Sequence, residues 1–211
     1  MIGDSWTHKI ARVCILPLVN TSVSPNHVTI IRLITGVVAC VAFALKITLI
    51  GCIFWLLSTF LDRADGELAR VSGKTSEWGH KFDYYSDTIV TALFFIAIGI
   101  NLQDNLPSYW SVFMGFSAAV GVFFTGIYAE IIDQKKKNTG GKAYPGIAGF
   151  DFDDILYLFA PVVWLNWHLP FLIGASFGAP IFAILTCTLQ KNIYDNLRYK
   201  KYYFLRSNKT A

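Results

Sequence analysis

Between Phe60 and Thr88 the chain reads FLDRADGELARVSGKTSEWGHKFDYYSDT, with strongly apolar sequence on both sides. Five carboxylates, Asp62, Asp65, Glu67, Asp83 and Asp87, therefore stand in or beside segments that suit a bilayer. Acids at membrane depth are costly and persist only where their charge is compensated. The apolar runs must cross a membrane, and the acids must face one another, a cation or a wet cavity. Of the 211 residues, 54% are hydrophobic and 15% charged, against about one quarter charged in soluble domains. The composition predicts a single all-α membrane-embedded domain, 1–211, rather than a large soluble core.

A membrane-crossing helix takes about 20 residues. Six stretches approach or exceed that length, at 28–49, 50–72, 79–101, 108–131, 152–169 and 171–192. Turn formers in NLQDNLPS (101–108) and NWHLP (166–170) separate neighbouring runs. The expectation is a bundle of six transmembrane helices over 28–192. With the N-terminus cytoplasmic, every Lys and Arg except Lys46 falls on the inner side. That distribution predicts both termini inside and the acidic stretch at the cytoplasmic face. Ahead of the bundle, residues 4–20 place Trp6, Ile10, Val13 and Leu16 or Leu18 at roughly helical spacing, with Lys9 and Arg12 toward another side. This pattern predicts an amphipathic helix lying in the membrane interface. Residues 193–211 form an expected basic cytoplasmic tail, whose YKKYYFLR (199–206) suits lipid headgroups rather than nucleic acid. Cys14, Cys40, Cys52 and Cys187 show no CxxC spacing and suggest neither a disulfide framework nor a metal site.

The acids follow helical spacing. Asp62, Asp65, Gly66 and Ala69 share one face of a helix, and Gly79, Asp83 and Asp87 share one face of the next. The link at 71–78 is short, so the two helices are expected as antiparallel neighbours with four carboxylates converging across their seam. Such a group is stable only if protonated or held by cations. Oxygen-only ligands favour hard ions such as Mg²⁺, Mn²⁺ or Ca²⁺. Arg70 and Lys74 suit an anionic ligand, and Gly66, Ala69 and Gly79 leave room for it. Together these describe a phosphoryl or diphosphate site. A cation-coupled transporter using the same carboxylates is the alternative, and ion pairing with Arg63 and Arg70 is the plain structural reading. Ion pairs have no need of the small residues. No internal repeat of the transporter kind is visible.

Asp62, Asp65, Gly66, Ala69 and Arg70, then eight residues, then Gly79, Asp83 and Asp87 resemble the CDP-alcohol phosphotransferase signature DxxDGxxAR-x8-GxxxDxxxD. All eight fixed positions match. SPNHVTIIR (24–32) also resembles the family's stretch before its first span. The resemblance is specific over residues 24 to 100 and general in layout beyond them. It implies a six-helix membrane fold with an interfacial N-terminal helix, usually a homodimer. It implies transfer of a substituted phosphate from a CDP-linked donor to an alcohol, releasing CMP, in phospholipid synthesis. Carried over by position, Asp62, Asp65 and Asp83 would bind one divalent ion, and Asp62, Asp83 and Asp87 a second, with Mg²⁺ or Mn²⁺ expected. Asp87 would take the proton of the acceptor hydroxyl. Gly66, Ala69, Arg70, Ser76 and Gly79 would hold the nucleotide, with Pro25 and Asn26 near the donor. The donor would be CDP-diacylglycerol or a CDP-amino alcohol, and the location a bacterial inner membrane.

Several polar residues stay open at this level. Asp151, Asp153 and Asp154 cap a helix or line an acceptor pocket. Lys135, Lys136 and Lys137 anchor the inner face or bind phosphate, and Glu130 is a site member or interfacial. Arg32 pairs with the acids or snorkels to headgroups. His80 reads as a neighbour of the acids, and His8, His27 and His168 read as interfacial.

Overall fold

Helix boundaries follow from capping chemistry along the chain. The computed structural model describes residues 6–107, 109–136, 144 and 152–207, with backbone only for 152, 153 and 194–207. The elements are α1 (Trp6–Ile15), α2 (Pro25–Ala44), α3 (Thr48–Ser72), α4 (Glu77–Asn101), α5 (Trp110–Lys136), α6 (Phe159–Trp164) and α7 (His168–Ser207). No strand occurs among the described residues. Ser24 opens α2: its Oγ accepts from the His27 backbone N–H, while the Ser24 N–H donates to His27 Nδ1 and Pro25 fills the first turn. Gly73, at φ 69°, ends α3 in the left-handed region that favours glycine. Ser76 caps α4 by accepting from the Gly79 N–H at 2.9 Å.

Four helices are long and apolar enough to cross a membrane: α2, α4, α5 and the His168–Ile193 part of α7. Their outer faces carry bare apolar side chains, with Phe113 and Phe177 both 65% exposed. Such faces suit lipid, and the protein is an integral membrane protein. The expected second span is α3, whose 25 residues have the length but carry Asp62, Arg63, Asp65, Glu67 and Arg70 in the second half. The expected fifth span is built differently. It is a 3₁₀ segment, Phe152–Leu158, followed by the six residues of α6. At 2.0 and 1.5 Å per residue, that is roughly 23 Å against a hydrocarbon thickness near 30 Å. The expected sixth span and the basic tail are continuous, since α7 runs 40 residues to Ser207, about 60 Å.

Packing places α2 between α3 and α4, with Ile30, Ile34 and Val41 exposed on its outer face. It lies closely on both α3 and α4, α5 packs on α4 and α7, and α1 and α6 pack on α3. The expectation of α3 and α4 as direct neighbours needs correction: close packing runs from α3 to α2 and from α2 to α4. A four-residue link tethers the ends of α3 and α4 without forcing their faces together. The gap between those faces is what becomes the cavity. Where α4 meets α5, a Cβ at Gly115 would fall 2.5 Å from the Phe95 carbonyl oxygen, so the two backbones approach as only glycine permits. At one end of the bundle Phe43, Trp55, Phe94, Phe95, Phe159 and Phe171 form an aromatic core. The signature residues occupy the other end.

Candidate active site

The cap on α2 sets Thr29 and Arg32 one helical turn apart, facing the signature acids. Arg32 is 2% exposed. Its Nη1 donates to Asp83 Oδ1 at 2.8 Å and to the Asp83 carbonyl at 3.2 Å. Its Nη2 lies 2.7 Å from Asp87 Oδ1 and 3.1 Å from Asp62 Oδ1. One buried guanidinium thus compensates three of the four signature carboxylates, which decides between pairing and snorkelling in favour of pairing.

Asp65 lies deeper, at 2% exposure. Its Oδ2 accepts from Thr29 Oγ1 at 2.7 Å, and its Oδ1 has no hydrogen-bond partner among the described residues. Carboxylate oxygens of Asp62, Asp65 and Asp83 lie within 4.8 Å of one another. A buried, unpaired oxygen beside two further carboxylates, with no nitrogen or sulfur donor in the group, fits a hard divalent cation. These are the three residues expected to hold the first ion. The three on Arg32 are those expected to share the second.

Behind the acids sits a second charged cluster, in which Arg63 and Arg70 do form structural ion pairs, joined by α1 residues that sequence reasoning did not foresee. Glu67 is fully buried, accepting from Arg12 Nε at 2.7 Å and from Arg70 Nη1, with His8 Nδ1 at 3.0 Å. Arg63 Nη2 reaches Asp154 Oδ1 at 3.3 Å, and Thr7 Oγ1 donates to the same oxygen at 2.8 Å. Two expectations are corrected here. His8 is buried against α3 rather than interfacial, because α1 turns its Thr7, His8, Ala11 and Ile15 face inward. Asp154 holds α1 and α3 together instead of lining an acceptor pocket. Trp6, Ile10 and Val13 remain exposed on the opposite face of α1, as does Leu16 just beyond its end.

A cavity of about 380 Å³ opens beside the acids, within the ordinary range for small-molecule sites. Asp62, Gly66, Arg70, Asp83 and Asp87 line it. A Cβ at Gly66 would meet nothing nearer than Arg70 Nη2 at 3.7 Å, so that wall is open. A Cβ at Gly79 would lie 2.9 Å from both Asn26 Oδ1 and Ser76 Oγ. Asn26, Ser76 and Gly79 therefore form one cluster, with Pro25 in the first turn of α2 beside it. Ala69 is half-buried and is not part of the cavity wall. Opposite α3, the cavity is walled by Tyr84, Thr88 and Thr91 of α4 and by Thr125, Gly126 and Glu130 of α5. Apart from Glu130, none of these was singled out from sequence. The four-residue rhythm from Asp83 through Asp87 to Thr91 was the available signal for α4. His80 Nε2 lies 3.2 Å from Glu130 Oε1, consistent with a neighbouring role. Lys135 and Lys136 sit in the last turn of α5 and do not line the cavity. Asp151, Lys137 and the side chain of Asp153 lie outside the described residues.

These features define a helical membrane protein with a carboxylate site on a cavity of small-molecule size. Residues 22–187 match the CDP-alcohol phosphatidyltransferase family, and the chain belongs to it. It is 36% identical over 84 residues to the archaetidylinositol phosphate synthase of Pyrococcus horikoshii, covering 39% of this chain and 45% of that protein. It is 34% identical over 90 residues to the bifunctional IPC transferase and DIPP synthase of Thermococcus kodakarensis, covering 43% of this chain and 20% of that one. A protein of the same description from Archaeoglobus fulgidus is 35% identical over 99 residues, covering 47% of this chain and 20% of the relative. The chain thus spans less than half the length of each of these relatives. Family membership favours transfer chemistry over the transporter alternative.

Proposed function

We propose that this protein moves a phosphatidyl or phospho-alcohol group from a CDP-linked donor to an alcohol hydroxyl and releases CMP, as a step in phospholipid synthesis. The acceptor oxygen bonds to the distal phosphorus, and the bond from that phosphorus to the bridging oxygen breaks. CMP leaves with the electron pair, and Asp87 takes the hydroxyl proton. An alcohol is a weak nucleophile until a positioned base accepts that proton. Asp87 suits the task because it opens on the cavity while Arg32 holds its carboxylate in place.

Asp62, Asp65 and Asp83 would hold one Mg²⁺ or Mn²⁺ ion, and Asp62, Asp83 and Asp87 a second, offsetting charge on the diphosphate and the departing CMP. Gly66 and Arg70 take the nucleotide at the open wall, with Ala69, Ser76 and Gly79 completing its bed. Pro25 and Asn26 lie toward the donor. Six spans, counting α3 and the α6 region, an interfacial α1, both ends in the cytoplasm and a homodimer in a bacterial inner membrane complete the reading.

The convergence of Asp62, Asp65 and Asp83 oxygens within 4.8 Å, with one buried oxygen unpaired, carries the proposal. The test is CMP release by purified protein in lipid with Mn²⁺ or Mg²⁺, offering CDP-diacylglycerol, CDP-choline and CDP-ethanolamine with pooled alcohols and lipids. The expected result is metal-dependent release. Folded protein that releases no CMP with any donor would refute it.

A further inference from the structure

The charged cluster behind the acids has one arm in the cavity. Glu67 stands inside the signature stretch, between Gly66 and Leu68, three residues before Arg70. It is fully buried and is not part of the cavity wall. Arg70 does line the cavity, with 55% of its side chain exposed. Residues three apart on a helix are neighbours on one face, and Arg70 Nη1 donates to Glu67 Oε1. The other carboxylate oxygen, Oε2, accepts from Arg12 Nε of α1 at 2.7 Å. His8 Nδ1, also from α1, lies 3.0 Å from Oε1.

Holding α1 in place does not by itself account for this arrangement. The end of α1 already has an apolar seat, where Ile15 is buried with Val28, Ala64 and Leu68. Well-packed apolar side chains join elements as firmly as buried ions do. They would not fix a guanidinium at a cavity wall. A long side chain that is half in solvent samples many rotamers unless a partner holds it. Tied to Glu67 through Nη1, Arg70 keeps Nη2 3.7 Å from where a Cβ of Gly66 would stand, beside the open wall. Glu67 is itself fixed, because a second helix grips its second oxygen.

We infer that Glu67 is a positioning residue that acts through Arg70, holding its guanidinium at the nucleotide wall, and that α1 holds Glu67 in turn through Arg12. This rests on the transfer reading above, in which Arg70 meets the CDP-linked donor, and extends that site to the N-terminal helix. Trp6, Ile10 and Val13 are exposed on the far face of α1, so one short helix joins an apolar outer surface to the donor site. A side chain ordered in advance loses less freedom on binding, and the gain appears as affinity. Loss of Glu67 therefore weakens nucleotide binding only while Arg70 is present to be positioned.

The experiment uses the full chain in lipid vesicles with Mn²⁺ and measures the Kd for CMP, with CMP release from CDP-diacylglycerol and pooled alcohols alongside. Arg70→Met is expected to raise Kd about tenfold, the worth of one charge-assisted contact. Glu67→Met is expected to raise it several-fold. The double variant is expected to bind no more weakly than Arg70→Met alone, because the two changes remove the same interaction. Arg12→Met reaches the same arm from α1 and carries the test if Glu67→Met does not fold. It is expected to raise Kd to a lesser degree, and again to add nothing beside Arg70→Met. A merely structural role would weaken binding equally in both backgrounds. Effects that multiply therefore overturn the inference, as does an unchanged Kd in Glu67→Met. Normal CMP binding by Arg70→Met also overturns it, and the transfer reading then stands without Arg70. Absence of both CMP binding and release in the unaltered protein overturns the transfer reading itself.

Discussion

At one end of the bundle Phe94 is fully buried among rings, 4.5 Å from Trp55, 4.8 Å from Phe159 and 5.5 Å from Phe43 between centroids. At the other end Arg32 and Glu67 are equally buried, but among charges drawn from different helices. The aromatic end satisfies itself: packing needs no counter-charge, and little there waits for a ligand. The charged end is satisfied only by sharing. One guanidinium serves Asp62, Asp83 and Asp87, and Asp65 Oδ1 with Thr91 Oγ1 are left over. Stability is thus concentrated at one end and chemistry at the other, and substitutions should separate the two.

The largest separation is expected from Asp87→Asn. The change keeps volume but removes the base, and general-base losses run about 10²–10⁴-fold. CMP release should fall by that factor while the melting temperature of the metal-free protein stays level or rises, since one of three crowded carboxylates is gone. Near-normal release would remove Asp87 from the chemistry. Next in size is Phe94→Ala at the aromatic end, expected to cost about 3–5 kcal/mol of stability. Equilibrium unfolding in bicelles would measure it, with activity per folded molecule unchanged. A parallel loss of specific activity would show that the two ends are not separable.

Arg32→Met tests the charged end directly. Breaking a buried ion group costs about 3–5 kcal/mol when partners are stranded. The Asp83 and Asp87 side chains are 35% and 40% exposed, so water relieves part of this, and about 2–3 kcal/mol is expected in chelator. Saturating Mn²⁺ should recover most of the loss, because the same oxygens can then face a metal. Chelation of the unaltered protein should matter less, since Arg32 already balances the acids. A deficit in Arg32→Met that ignores metal would place the guanidinium outside the ion-binding group.

Seven of the signature's eight positions were legible as two faces at helical spacing, Arg70 entering with the family resemblance, and the structure brings Asp62, Asp65, Asp83 and Asp87 together. Less legible was whatever depends on which helix packs on which. Periodicity shows that Arg32 and the acids can face something, but only the position of α2 between α3 and α4 makes them face each other. His8 and Glu67 meet across 59 positions, and neither has a local pattern that announces it. The 152–169 stretch is apolar enough to read as a span, yet composition does not reveal that its first seven residues wind as 3₁₀. Gly126 looked like any small residue in an apolar run, and its meaning lies in Tyr84 and Thr88 across the cavity.

The smallest expected effect lies beyond the aromatic core, in the loops. Lys46 and Asn166 both take positive φ, at 62° and 58°, in turns with the same backbone pairing. Lys46 also reaches Asp104 at 2.6 Å, both side chains well exposed. The hydrogen bond from Lys46, and then its charge, hold the Asp104 carboxyl below the ordinary value of 3.8. A carboxyl whose folded-state pKa is depressed adds stability that is fully present above 3.8 and is lost as pH falls through the folded value. The increment is that of a solvent-exposed pair, screened by salt, unlike the buried charges at the signature end. Asp104→Asn should therefore leave the neutral-pH melting temperature nearly unchanged, and whatever difference exists should vanish in 1 M salt or well below pH 3.8. The substitution removes the charge without touching the left-handed backbone at Lys46. A large, salt-insensitive loss at neutral pH would mean that this end of the protein also depends on a shared charge.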